Sequence, residues 1–84
     1  MDNIADELKA RTKKFAIDII KLSRSFPKEE ESMIIKRQIV RSATSTAANY
    51  RAVCRARSDA EFFSKLSIVV EEADETLFWL ELIS

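Results

Sequence analysis

The stretch 41-RSATSTAANYRAVCRARS-58 decides how this chain folds. Alanine, serine and threonine dominate it, as they do in flexible linkers, yet it contains neither Gly nor Pro. Placed on a helix, it continues Ile35, Ile39 and Val40 through Ala43, Thr46, Ala47, Tyr50, Val53 and Cys54 on one broad apolar face. Ala43 to Ala48 are all small or short, which lets a neighbouring helix come to about 8 Å, the close end of the usual range. The stretch therefore reads as the packed side of a helix. That helix starts among Lys28–Glu31, where three glutamates suit the positive end of the helix dipole, and runs to about Ala56.

Two further helices follow from the same reasoning. Upstream, Ile4, Leu8, Phe15, Ile19, Leu22 and Phe26 fall within roughly 60° of one another at 100° per residue, and Lys9, Lys13, Lys14, Lys21 and Arg24 lie mostly off that stripe. This predicts a helix over about 3–25. It is stopped at Phe26-Pro27, because the residue before proline is pushed out of the α region. Downstream, Ser58-Asp59-Ala60-Glu61 matches a capping box, in which Ser58 accepts from the Glu61 amide and Glu61 reaches back to the Ser58 amide. Phe62, Leu66, Val69, Ala73, Thr76, Leu80 and Ile83 then step by three and four, widened by Phe63, Val70 and Leu77. The predicted helices span about 3–25, 29–56 and 59–84. The third stays apolar to Ser84 with no Gly, Pro or basic last turn, so the expectation is that a fourth helix has been left off or is supplied by another copy.

Composition bounds the function. At 84 residues the chain is one domain, 1–84, with a limited core of the kind that leans on oligomerisation. Glycine is absent, against an average usage of about 7%. Tight hairpins and phosphate-cradling loops need Gly at positive φ, so an all-β or nucleotide-binding α/β fold is disfavoured. The absence of His excludes a His-based zinc site and a His-dependent triad. A single cysteine closes no internal disulfide. No apolar run approaches the roughly 20 residues that span a membrane, and the N-terminus lacks the order of a signal peptide. The expectation is a cytoplasmic, non-enzymatic protein without cofactor or metal. Net charge is zero, but residues 1–57 carry thirteen Lys and Arg against seven Asp and Glu, whereas residues 58–84 carry one against seven.

The chain resembles the small bacterial four-helix-bundle proteins that include the 23S rRNA intervening-sequence (S23) proteins and the accessory variability proteins of diversity-generating retroelements. The resemblance lies in 26-FP-27, 38-QIVRSATSTAANYRA-52, 58-SDAEFFSKL-66 and 71-EEADETLFWLELI-83. Its central pattern is carried by Arg41, Ser42, Ala43, Ser45, Ala48 and Asn49. Many members have Gly after the Asn where this chain reads 50-YRAVCRAR-57, and members usually continue for about another helix. The resemblance implies an all-α, antiparallel up-down four-helix-bundle type. It also implies homo-oligomeric rings, taken to be pentamers, with no enzymatic activity. From the retroelement members it implies a basic surface for nucleic acid and a reverse transcriptase partner.

The residues carry a specific candidate site. With Arg37 at 0° on a helical wheel, Arg41 falls at about 40°, Arg51 at about 320° and Arg55 at about 0°. The row is about 27 Å long at 1.5 Å per residue, and Arg57 belongs to the following turn. Such a row can neutralise phosphates of RNA or DNA. It can equally pair with Glu71, Glu72 or Glu75 of the third helix, or remain a solvated face. Aromatics do not interleave it, against a stacking platform for single strands.

Phe78, Trp79 and Leu82 lie outside the third helix's seam and form a candidate interface. Asn49, Ser42 and Ser45 read as structural residues bonded to nearby backbone. Cys54, on the apolar face, reads as a small hydrophobe. Two functions follow: an oligomeric adaptor binding RNA or DNA through Arg37, Arg41, Arg51 and Arg55, or a protein-interaction scaffold with no nucleic-acid contact.

Overall fold

A computed structural model describes residues 3–84, which form α1 (Asn3–Ser23), α2 (Glu30–Val53) and α3 (Asp59–Ile83), with no strand among them. The protein is an all-α bundle of three helices. Helices of 21, 24 and 25 residues joined by short connections fit within a long axis of 45 Å only by folding back on one another. The central element is α2: α1 and α3 each pack against it, and their backbones do not close a third seam with each other. No helix is long and apolar enough to cross a membrane.

The glycine-free chain ends its helices without any left-handed residue among those described. After α1, the amides of Arg24, Ser25 and Phe26 bond in succession to the carbonyls of Lys21, Leu22 and Ser23, a tight i→i−3 turn that needs no positive φ. The same device ends α2, where Arg55 and Ala56 donate to Ala52 and Val53. So α2 stops at Val53, three residues before the expected Ala56. This corrects the reading of Cys54. Lying beyond the last helical residue, it is exposed and not packed as a small hydrophobe.

At the start of α3 one arm of the capping box forms as expected, with Glu61 N–H donating to Ser58 Oγ at 3.1 Å. The return arm differs: Glu61 Oε1 accepts from the Arg57 amide at 2.7 Å, one residue earlier than expected. With Ser58 extended at φ −157°, the carboxylate closes over the turn between the helices.

Two small clusters make the core. Ile19, Phe26, Ile39 and Ala43 form the first, with Phe15, Val40, Trp79, Leu80 and Ile83 packed against it. Tyr50, Val53 and Val69 form the second, joined by Leu66. Between α2 and α3, buried Ser42 and Thr76 share a hydrogen bond of 2.7 Å in which either can donate, and the one that accepts donates to a carbonyl of its own preceding turn, Ile39 for Ser42 or Glu72 for Thr76. The pairing satisfies two buried hydroxyls at the helix contact and leaves no orphaned polar group there.

The apolar stripe of α1 is only partly used. Ala16, Ile19 and Ser23 are buried against α2, while Ile4, Leu8 and Leu22 stay exposed. The same holds on α3, where Val69 and Thr76 are buried but Phe63, Val70 and Leu77 remain 64%, 61% and 53% exposed.

Candidate nucleic-acid interface

The arginine row divides on the folded chain. Arg41 turns toward α3, where its guanidinium meets Glu72 (3.1 Å, Nη2 to Oε1) and Glu75. It also contacts Gln38 Oε1 on its own helix at 3.4 Å. Glu75 in turn accepts the Trp79 indole N–H at 3.0 Å. The Trp79 bond, and after it Arg41, hold the Glu75 carboxyl below its ordinary value. The hydrogen bond to Glu75, and then that to Glu72, push the Arg41 guanidinium up. For Arg41, then, pairing with α3 acids prevails over an outward-facing cation. Of the alternatives Glu71, Glu72 and Glu75, the last two take Arg41, while Glu71 stays exposed and makes no ion pair among the described residues.

Arg37, Arg51 and Arg55 are different. All three are exposed, and no carboxylate lies within ion-pair distance of them among the described residues. Arg51 and Arg55 form one wall of a groove of about 850 Å³ between α1 and α2. Lys9 and Lys13 form the other wall, and Ala10, Ala47 and Ala48 contribute the floor. No acidic side chain among the described residues lines it. Among the described residues, Lys9 makes only an exposed 3.8 Å contact with Asp6, and Lys13 makes no ion pair. The alanines follow from the small-residue run of α2, which leaves a recess where longer side chains would fill the seam.

Lys9 and Lys13 were legible only as residues off the apolar stripe of α1. The side on which they stand became defined when α2 chose Ala16, Ile19 and Ser23, and not the centre of the stripe, as its contact.

The aromatic candidates also divide. Trp79 is half-buried and packs on the core, with Phe78 edge-on to it at 5.0 Å between ring centroids. Phe78 and Leu82 face outward, 48% and 54% exposed. Asn49 is bonded within its own helix, donating to the Ser45 carbonyl and hydroxyl at 2.9 Å each, as a structural residue should. No cluster of three or more metal-ligating side chains occurs among the described residues.

The family described as 23S rRNA-intervening sequence protein matches residues 7–84 of the chain. Among solved structures, the chain is similar to a protein of unknown function from the S23 ribosomal protein family of Bacteroides thetaiotaomicron VPI-5482. The two are 40% identical with a TM-score of 0.80, and the match covers 96% of this chain and 70% of that one. No curated protein matches.

Proposed function

The chain belongs to the 23S rRNA-intervening sequence protein family, and from that premise we propose that it is a non-enzymatic helical-bundle adaptor that binds RNA or DNA through the basic face of α2. The observation that carries this reading is the state of Arg37, Arg51 and Arg55: exposed, with no carboxylate partner among the described residues, while Arg41 in the same row is engaged by α3. Cations held for internal pairing would sit as Arg41 does. Exposed guanidinium groups along one face contribute little to stability on their own, but they bind phosphate well, bidentately and with release of counterions.

The test is a mobility-shift titration at low salt, comparing the wild-type protein with an R37E/R51E/R55E variant. Binding by the first and its loss in the second is the expected result. Equal binding by both would sink the reading.

A second reading is favoured by a separate observation, the outward-facing Phe63, Val70 and Leu77 together with Phe78 and Leu82 on α3. Apolar surface of this extent marks a contact with another chain. It suits a scaffold that self-associates, into a pentameric ring by the family resemblance, or that docks on a protein such as a reverse transcriptase. The two readings are compatible, because the basic face is on α2 and these five apolar residues are on α3.

A further inference from the structure

We infer that the recess between α1 and α2 is a seat for the sugar–phosphate ridge of a nucleic-acid duplex, bound without regard to base sequence. The inference rests on the proposed role of the basic face and narrows it from a row on one helix to a four-cation site shared by two.

The geometry is compact. Lys9 and Lys13 are one helical turn apart, as are Arg51 and Arg55, so each pair spans about 6 Å. The axes of two packed helices lie about 8–10 Å apart, so the pairs stand on opposite sides of one narrow recess. Because α1 and α2 run antiparallel, the order Lys9 to Lys13 on one wall faces Arg55 to Arg51 on the other. A span of about 6 Å is comparable with one phosphate-to-phosphate step along a strand, so each wall can meet two neighbouring phosphates of a single backbone ridge.

The chemistry of the site favours anions, of which the backbone phosphate is the one proposed. Its four functional side chains are all cations, and the floor is alanine and other small or apolar residues. No aromatic lines it, so unstacked bases of a single strand find no platform. Base edges lie at the bottom of the duplex grooves and are read by elements that protrude into them. A recess between two helices is the opposite shape: it receives a convex ridge and cannot probe a groove. Contacts to phosphate alone position a protein on a duplex but carry no sequence information.

The experiment is fluorescence anisotropy with DNA and RNA duplexes about two turns long, each in two unrelated sequences, between about 50 and about 200 mM salt. Four neutralised phosphates give a log–log salt slope of about −3.6 on DNA, which weakens binding roughly 150-fold over that range. The K9Q/K13Q variant should lose about half of that slope, and R51Q/R55Q a similar share. A charge-matched K14Q/K21Q variant, on the same helix but off the recess, should keep the wild-type slope. The unrelated sequences should bind within about threefold of each other.

If the wild type binds but K9Q/K13Q keeps its full slope, the seat is wrong while the basic face of α2 stands. Tenfold tighter binding of single strands, or of one sequence over the other, also overturns the seat. If the wild type does not bind at the lowest salt, both the seat and the reading beneath it fail. All the substituted positions are exposed, and glutamine keeps helix propensity, so loss of slope with a retained helical spectrum reports on binding and not on folding.

Discussion

Arg41 shows how one residue in a periodic row can have a different fate from its neighbours. The helical wheel groups it with Arg37, Arg51 and Arg55, and it also stands opposite the acids of α3. Both statements are true of the sequence. Only the packing of α2 against α3, which also brings Ser42 to Thr76, decides that it reaches Glu72 and Glu75.

The depressed Glu75 carboxyl gives a pH prediction. Its folded value lies below its unfolded value, so the unfolded chain binds more protons in that window, and stability rises with pH there. The contribution is fully present above the ordinary carboxylate value of 4.5 and is lost as pH falls through the lower folded value. An E75Q variant should therefore show a flatter loss of thermal stability below about pH 4.5 than the wild type, in unfolding curves collected across the acid range.

Ser42 and Thr76 allow a second test. A T76V change strands the buried Ser42 hydroxyl from its inter-helix partner and should cost about 1–2 kcal/mol in denaturant unfolding. The double change S42A/T76V removes both polar groups and should cost less than the two single changes added together.

Among the elements, the three helices and the start of α3 were legible from periodicity, Pro27 and Ser58, because each rests on local chemistry. The capping prediction is correspondingly direct: S58A should lower stability by about 1 kcal/mol, with α3 helicity lost first at its N-terminal turn. The ends of α1 and α2 were less legible. Absence of glycine suggested that α2 would run on, yet the chain leaves both helices through i→i−3 turns that any residue can make. That difference of three residues moved Cys54 from a packed face to an exposed turn. The use of each helix face was least legible of all. An apolar stripe fixes which residues want burial, but not which part of it the next helix covers, so Leu8 and Leu22 stay exposed while small Ala16 is buried.

For the whole molecule, a formal charge of zero conceals a basic recess between α1 and α2 and an acidic α3. The sequence split was legible as a count on either side of residue 58. The recess was not, since its walls come from residues some 40 positions apart in the chain and depend on the antiparallel packing of the two helices. The open apolar faces carry their own prediction. A protein of 9.6 kDa with Phe63, Val70 and Leu77 in the open should sediment and scatter light as an assembly larger than its chain mass. A V70E/L77E variant should shift toward that mass.

The central claim is that the exposed cations of this bundle serve phosphate. The most direct measurement is the affinity of the wild-type protein for a duplex as salt is raised from about 50 to about 200 mM. Binding at the low end that weakens steeply, with a slope near −3.6 on DNA, is the predicted result. No binding at low salt, or binding that does not respond to salt, would contradict it.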